Sequence, residues 1–243
     1  MLAEEFYNQM IGILGKVRET EMPSIMRAAE WIADSIAADG LVHLFGCGHS
    51  HLLAEDIFYR AGGLVPVNAI LESSVMLHEG AVKSSRVERL SGYAELILDN
   101  YAVKPGEVLI IISNSGINSL PVEMAMAAKS KGLRVVAVSS EAYENAQSRH
   151  PSGKKLKDVA DLVIHNHIPY GDALVQLPES PARMASGSTI AGSLILHMLM
   201  VTVAERLIEK GLKPPVFVSG NIPGGLEQNQ AYIEKYRGRI KHL

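Results

Sequence analysis

LIIISNSGINSLPVEMAMAAKSKG, residues 109–132, joins a strand pattern directly to a helix pattern. The apolar residues 109–112 predict a buried strand, and the pattern from Leu120 onward predicts a helix. Residues 113–119, between them, are mostly serine and asparagine around one glycine. Backbone amides at a helix N-terminus attract anions, and neutral hydroxyl and amide groups add hydrogen bonds, so this loop predicts a phosphate-binding site. The alternative is that these residues only form the turn and cap the helix.

Strand and helix patterns alternate along the middle of the chain. Short runs rich in β-branched residues predict strands at 41–46, 64–69, 107–113, 133–140 and 160–166. Helical patterns lie around 51–61, 86–100, 119–131 and 142–149. Continuous apolar strands that alternate with helices are typical of a parallel sheet covered on both faces, so we predict an α/β fold.

Helical patterns also flank this middle part. Residues 2–38 predict a helical pair that breaks near Met22 and Pro23. A long helix is predicted over about 183–210, a polar helix closes the chain, and PVFVSG at 215–220 predicts either an edge strand or an extended arm. We therefore divide the chain into an N-terminal helical pair (1–40) that packs on the domain or on a partner subunit, a central domain (41–210) and a C-terminal extension (211–243).

Composition and charge exclude several classes of protein. The 243 residues are 47% hydrophobic and 20% charged, and the formal charge of −3 gives no electrostatic basis for binding nucleic acid. The single cysteine, Cys47, excludes an intrachain disulfide and fits a reducing compartment. No signal peptide pattern is visible, and the uncharged stretch from Met184 to Ala204 carries too many polar residues to favour a membrane span. We expect a soluble cytoplasmic protein that binds neither nucleic acid nor membranes.

Two more small-residue loops accompany the first one. GCGHSH (46–51) follows the first strand, and SGST (186–189) precedes the long late helix. Neither GCGHSH nor SNSGINS fits GxxxxGK[ST], which excludes a nucleotide-triphosphatase P-loop. GCGHSH also lacks the third glycine of a dinucleotide fingerprint, which argues against a nucleotide-binding oxidoreductase.

In this combination and order, the three loops resemble the SIS (sugar isomerase) family, whose members bind phosphosugars. The resemblance covers about 40–210 and is most specific over 110–140. It implies a three-layer sandwich around a five-stranded parallel sheet, and a homodimer or homotetramer. The PES…ASGST…AG segment is similar to N-acetylmuramic acid 6-phosphate etherase, and the helix after GCGHS to phosphoheptose isomerase. The whole chain also resembles an uncharacterised bacterial group of SIS proteins.

The three loops supply a set of candidate phosphate- and sugar-binding residues. They are Gly46, Gly48, His49 and Ser50 in the first loop, Ser113, Asn114, Ser115, Gly116, Asn118 and Ser119 in the second, and Ser186, Ser188 and Thr189 in the third. By the resemblance, the serines of the second loop and the amides near Gly116 and Asn118 hold the phosphate. Because backbone amides and neutral side chains suffice for this, we expect no cofactor.

An aldose–ketose isomerase moves a proton between C1 and C2 through an enediolate and needs a carboxylate base. Glu55, on the helix after GCGHS, and His197, on the late helix, stand where the resemblance to phosphoheptose isomerase implies a catalytic pair. Further candidates for the base are Glu72, which follows the second strand, Glu79 and Glu179. The alternatives are that Glu55 is a surface acid paired with Arg60 and that His197 is a core or interface histidine.

The predicted function is the binding and isomerisation of a phosphorylated sugar. His165 and His167 could ligate zinc, since residues i and i+2 of a strand share a face, but spacing fixes no third ligand and we predict no metal. Two alternatives stay open at this point. One is a non-catalytic phosphosugar-sensing regulator, and the other is an etherase or lyase acting on an amino-sugar 6-phosphate.

Overall fold

Five parallel strands form the centre of the protein, in the order β2-β1-β3-β4-β5. The computed structural model describes residues 1–243. The strands are β1 (Val42–Gly46), β2 (Val67–Ile70), β3 (Val108–Ile112), β4 (Arg134–Ser139) and β5 (Leu162–His165). Val42 pairs with Val67 on one side and with Val108 on the other, which sets the register at the centre of the sheet. The predicted parallel sheet is confirmed.

Helices cover both faces of this sheet. They are α1 (Leu2–Thr20), α2 (Met22–Ala37), α3 (His51–Ile57), α4 (Ala81–Val87), α5 (Ala94–Leu98), α6 (Ser119–Ser130), α7 (Leu156–Val159), α8 (Ser188–Glu209) and α9 (Gly225–Tyr236). On one face, α2, α3 and α8 bury Ile32, Leu53 and Leu196 against the sheet. On the other, α5 and α6 bury Leu98 and Leu120. The three-layer α/β sandwich is therefore confirmed.

The N-terminal helical pair forms with its break where the sequence placed it. α1 ends at Thr20 and α2 begins at Met22, with Pro23 in its first turn, where a missing N–H costs nothing. α2 packs along α8, and α1 also contacts α8. The pair thus lies on the same face of the sheet as α8. The domain boundaries at residues 40 and 210 stay a prediction.

The C-terminal extension pairs with the segment that precedes the edge strand β2. Residues 215–220 form an arm that makes a single antiparallel bridge, Leu64 with Val216, and no strand of its own. Phe217, Tyr236 and Ile240 are buried against the domain.

A buried ion cluster ties the extension to the sheet. Glu107, directly before β3, accepts hydrogen bonds from His43 Nε2 at 2.9 Å, Arg239 Nη2 at 2.6 Å and the backbone N–H groups of Leu41 and Lys104 at 3.0 and 2.7 Å. Burial disfavours the carboxylate, but the bonds from His43 and Arg239 outweigh it and lower the pKa of Glu107 from 4.5 to about 2. The ionised carboxylate therefore joins the chain end to β1 and β3.

Two helix predictions were wrong. The pattern at 86–100 is split between α4 and α5, because Gly92 adopts a left-handed φ of 85° between them. The pattern at 142–149 yields only a short 3₁₀ turn at Glu141–Tyr143. Lys155 Nζ binds the carbonyl oxygens of Glu144 and Ala146 there, so these oxygens meet a side chain and not a helix amide.

A hairpin that the sequence did not predict precedes the long helix. Its strands are β6 (Ala173–Gln176) and β7 (Arg183–Ser186), which pair antiparallel. The Arg183 guanidinium donates to the carbonyl oxygens of Ala173 and Leu174, which holds the segment extended. The long helix therefore begins at Ser188 and not near residue 183.

Helix α8 is long and apolar enough to cross a membrane by length and composition alone. Half of its most apolar 18-residue window is buried within the fold, as in the core helix of a soluble protein. Its main partner is α2, and it also contacts α3 and α1. This single helix is weak support for a membrane span.

Candidate functional site

The topology places the first two predicted loops side by side. In a doubly wound sheet, a ligand binds beyond the carboxyl ends of the strands where the strand order reverses. With the order β2-β1-β3-β4-β5, that point lies between β1 and β3. Gly46, the last residue of β1, pairs with Ile112, the last residue of β3. GCGHSH and SNSGINS therefore leave the sheet from neighbouring strands.

A small pocket opens here and is lined by all three predicted loops. Ser50 comes from the first loop, Asn114 from the second, and Ser188 and Thr189 from the third. Asn166, which follows β5, completes the polar lining. The other lining residues are Leu53, Ile112, Val138 and Gly192. The pocket thus offers hydroxyl and amide groups and no charged side chain.

Glycine shapes the first loop. A Cβ on Gly46 would lie 2.5 Å from the carbonyl oxygen of Ser50, and Gly48 has a left-handed φ of 55°. The turn Gly48–Ser50 is 3₁₀ and leaves His49 exposed. Cys47 is buried, and burial raises the pKa of its thiol well above the ordinary value. Close chain packing, which only glycine allows at Gly46, brings Ser50 to the pocket.

The second loop leaves backbone donors free at the start of α6. Ser113 Oγ accepts from the N–H of Gly116 at 3.2 Å, and the carbonyl oxygen of Asn114 accepts from the N–H of Ser140 at 2.9 Å. These bonds fix the turn. The backbone N–H groups without a protein acceptor are those of Asn114, Ser115, Ile117, Asn118 and Ser119. Such unpaired groups at a helix N-terminus can receive an anion.

The side chains of Asn118 and Ser119 are already engaged by protein groups. Asn118 Nδ2 donates to Glu88 Oε1 at 2.8 Å, and Arg149 Nη1 donates to Asn118 Oδ1 at 2.7 Å. Ser119 Oγ donates to the carbonyl oxygen of Arg149 at 3.3 Å. Burial raises the pKa of Glu88, and the hydrogen bond from Asn118, which lowers the pKa, does not offset this. These side chains hold the loop in shape, and their contact with a ligand stays a prediction.

Asn114 meets a second asparagine at the pocket wall. Asn166 Nδ2 donates to Asn114 Oδ1 at 2.8 Å, and Asn166 Oδ1 accepts from the N–H of Ile168 at 3.1 Å. The N–H of Asn166 donates to the carbonyl oxygen of Ser139 at 3.0 Å. Asn166 is buried, so the ends of β4 and β5 hold the Asn114 side chain in place.

At the third loop, the N-terminus of α8 already holds an anion of the chain itself. Asp172 accepts from the N–H groups of Gly187 and Ser188 at 3.2 and 2.9 Å, and from Ser188 Oγ at 2.7 Å. Ser186 lies in β7, paired with Ala173, and does not line the pocket. Thr189 therefore has the freest side chain of this loop toward the pocket. The binding roles of Ser186 and Ser188 stay predictions.

A second small cavity adjoins the second loop at the ends of β4 and β5. Ser115 and Gly116 line it together with Ser139 and His165. His165 Nδ1 is buried there without a hydrogen-bond partner. Two of the predicted phosphate residues, Ser115 and Gly116, thus line this cavity and not the main pocket.

His197 pairs with an acid that the sequence reasoning did not choose. Its Nε2 lies 3.1 Å from Asp56 Oδ2, which also accepts from Ser193 Oγ at 2.8 Å. Arg60 binds Asp56 and not Glu55, so the expected Glu55–Arg60 pair was wrong. Glu55 is about half exposed and lies 3.8 Å from His51 Nε2. Asp56 on α3 and His197 on α8 therefore form a pair, and the catalytic roles of Glu55 and His197 stay predictions.

The other candidate bases lie apart from one another. Glu72 follows β2, at the ligand-binding edge of the sheet, and accepts from Tyr93 Oη at 2.7 Å. Burial opposes its charge, but the bonds from Tyr93 and Ser74 lower the pKa of Glu72. Glu79 is paired with Lys83, and Glu179 lies in the turn between β6 and β7. None of these three acids lines the pocket.

Both ring nitrogens of His167 face carboxylates. Nε2 lies 3.0 Å from Glu21 Oε1, and Nδ1 lies 2.5 Å from Glu141 Oε1. The ring of His165 is 6.2 Å away, centre to centre. His167 has a left-handed φ of 57°, so its ring bonds hold a strained segment in place. The ring therefore joins the α1–α2 junction to the loop after β4.

Sequence reasoning missed Asn166, Asp56, Glu88 and Asp172. Asn166 carried a usable signal, since it directly follows β5 at the ligand-binding edge of the sheet, as Asn114 nearly follows β3. Asp56 is next to Glu55 in the chain, and only the rotation of α3 about its axis determines which of the two faces α8. Glu88 and Asp172 reach the loops through long-range contacts that no local pattern records.

Comparisons with known proteins agree with this architecture. The sequence profile of the SIS domain matches residues 5–140. A UPF0309 protein from Caldanaerobacter subterraneus subsp. tengcongensis is 48% identical over 244 residues, which cover 99% of this chain and 98% of that protein.

Two solved structures share the fold at low identity. A phosphoheptose isomerase from Francisella tularensis has a TM-score of 0.57 at 14% identity and covers 84% of this chain and 96% of its own. The NanR protein of Vibrio vulnificus, complexed with ManNAc-6P, has a TM-score of 0.50 at 13% identity and covers 100% of this chain and 71% of its own. The domain match over more than half of the chain and the full-length relative together show that this chain belongs to the SIS domain family, among the UPF0309 proteins.

Proposed function

We propose that this protein binds a phosphorylated sugar in the three-loop pocket and interconverts its aldose and ketose forms. The observation that carries the proposal is the convergence of Ser50, Asn114, Ser188 and Thr189 on one pocket at the point where the strand order reverses. Three segments far apart in the chain would not supply neutral donors to one place if each were only a turn.

The free backbone donors identify the end of the ligand that would be held. A phosphate monoester needs several donors at short range, and the second loop leaves five N–H groups without a protein acceptor between β3 and the first residue of α6. The phosphoheptose isomerase of Francisella tularensis, a structural neighbour, supports a sugar phosphate as the ligand.

Isomerisation needs a proton acceptor near C1 and C2. We propose that residues of α3 and α8 supply it, with Asp56 orienting His197 and Glu55 one residue away. His197 would move the proton that opens the sugar ring, and a carboxylate would carry the proton between C1 and C2 through the enediolate. Glu72, at the same edge of the sheet, is the second candidate for that carboxylate.

One observation favours the non-catalytic alternative. None of the nine residues that line the pocket is an acid, so the pocket itself offers binding groups and no base. A phosphosugar sensor needs no more than that. The NanR protein of Vibrio vulnificus shares the fold and is complexed with ManNAc-6P.

We also propose that the protein is a cytoplasmic homodimer whose interface includes α8. Ile190, Val201 and Ile208 are exposed to 43%, 72% and 63%. Their separations of 11 and 7 residues place them on one face of the helix. Burial of such an apolar stripe against a second copy would remove it from water.

Proton NMR in deuterated water tests the proposed function. The pure protein is mixed in turn with hexose, heptose, pentose, amino-sugar and N-acetylmuramic 6-phosphates. Deuterium incorporation at C1 or C2 is the expected result, and loss of a lactyl ether would assign the etherase alternative. Ligand binding without exchange or bond cleavage would assign the sensor, and no binding of any sugar phosphate would contradict the whole proposal.

Matched variants then identify the base. Glu55→Gln and Glu72→Gln each remove one candidate carboxylate with little change of volume. The true base is the one whose variant lowers exchange at least about 100-fold, as loss of general base catalysis does. Glu209→Gln changes an acid at the far end of α8, paired with Arg206, and should leave exchange unchanged.

A further inference from the structure

Asn166 has an amide orientation that its neighbours determine without ambiguity. The N–H of Ile168 can only donate, so the atom that it meets at 3.1 Å must be Asn166 Oδ1. The other atom of the same carboxamide, Nδ2, is therefore a donor. It lies 2.8 Å from the side chain of Asn114, so the atom that it meets must be Asn114 Oδ1.

This arrangement leaves the side-chain NH₂ group of Asn114 without a protein partner. With Oδ1 directed at Asn166, its Nδ2 points away from that contact, and no protein acceptor binds it. Both asparagines line the pocket with Ser50 and Thr189. The free end of Asn114 is thus a donor, which suits a phosphate oxygen and disfavours a ligand donor.

The chain around Asn166 is held from several sides. Its backbone N–H binds the carbonyl oxygen of Ser139, and the side chain is buried. The next residue, His167, is bonded through its ring to Glu21 and Glu141. Asn166 therefore cannot turn over to suit a ligand without breaking the bond from Ile168.

We propose that Asn166 is a positioning residue that fixes the Asn114 carboxamide with its Nδ2 donor toward the pocket, so that the pocket selects a phosphate oxygen. This inference rests on the proposed function for its ligand, but the relay between the two amides is a property of the unliganded chain. Asn166 itself needs no contact with the ligand.

Asn166→Asp reverses the polarity of one contact and keeps the other. Either aspartate oxygen accepts from Ile168 as before, while the second oxygen can only accept from Asn114. The Asn114 carboxamide then turns its Nδ2 to residue 166 and presents its oxygen to the pocket. Inorganic phosphate should bind about 10- to 100-fold more weakly, as expected when a donor to a charged group is lost.

A double-mutant cycle separates the relay from simple charge repulsion. Asn114→Ser removes the amide that the relay acts on, so Asn166→Asp should cost no more than about 3-fold in that background. An equal loss in both backgrounds would mean that the new charge acts directly, and would overturn the proposal. Asn8→Asp, on the exposed part of α1, adds the same charge and should leave phosphate affinity unchanged.

NMR of the side-chain amides tests the relay without any ligand. In the wild type, the Asn166 NH₂ should be protected from solvent exchange and the Asn114 NH₂ should exchange fast. In Asn166→Asp, the Asn114 NH₂ should become protected. Fast exchange of Asn114 in both proteins would overturn the relay. If the relay is observed and the wild type binds neither phosphate nor sugar phosphates, the proposed function fails and the relay stands.

Discussion

Glu107→Gln should weaken the attachment of the C-terminal extension by an amount that the structure allows us to calculate. The carboxylate is 2% exposed and its pKa falls from 4.5 to about 2 because its hydrogen bonds outweigh burial. At 1.36 kcal/mol for each pH unit, this corresponds to about 3 kcal/mol of folding free energy. Since the pKa of the folded state is the lower one, that contribution is complete above pH 4.5 and is lost as the pH falls toward 2.

Urea unfolding of the wild type and of Glu107→Gln between pH 7 and pH 3 measures the contribution of this carboxylate to the folding free energy. The free energy of unfolding of Glu107→Gln should be about 3 kcal/mol below that of the wild type at pH 7, and the difference should shrink below pH 4.5. Glu209→Gln, which removes an exposed ion pair with Arg206, should cost less than about 1 kcal/mol at any pH. A loss below about 1 kcal/mol at pH 7, or a difference that does not change with pH, would refute the account of this cluster.

Three further predictions follow from glycine packing, the exposed stripe and the buried thiol. Gly46→Ala places a Cβ 2.5 Å from the Ser50 carbonyl oxygen and should destabilise the fold by about 1–3 kcal/mol and abolish phosphate binding, measured by urea unfolding and ³¹P NMR. Gly12→Ala, in open space within α1, should instead stabilise it by about 0.5–1 kcal/mol. Val201→Glu should shift the protein from dimer to monomer in sedimentation velocity, and a monomeric wild type would contradict the proposed interface. Because burial raises its thiol pKa, Cys47 should react with a thiol reagent at pH 8 only after unfolding.

The sheet could be predicted from the sequence because each of its strands has a local apolar pattern. Each strand is a short apolar run rich in β-branched residues, and all five predicted strands formed, four of them within the predicted range and β2 with its end one residue later. In the hairpin β6–β7, the second strand has no such apolar run. It contains Arg183 and Met184, which are both exposed. It forms because the Arg183 guanidinium binds carbonyl oxygens 9 and 10 residues earlier, a contact that no periodicity indicates.

For the candidate site, the sequence predicted the loops but not the side-chain pairs around them. The rule that ligands bind beyond the carboxyl ends of strands predicted the loops of Ser50 and Asn114, and the loop of Thr189 was predicted from its place ahead of an apolar helix. Side-chain pairing could not be read in the same way. Asp56 and Glu55 are neighbours in the chain, but only the phase of α3 against α8 turns Asp56 to His197.

Titration of inorganic phosphate into ¹⁵N-labelled protein, followed through the backbone amide signals, decides whether the three loops hold a phosphate group. We predict that the largest shifts fall on residues 114–118, with smaller ones near Ser50 and Thr189. The parent sugars without phosphate should leave these amides unmoved. Shifts confined to another surface, such as the groove beside Trp31 and Arg134 at the opposite end of the sheet, or no shifts at all, would contradict the account.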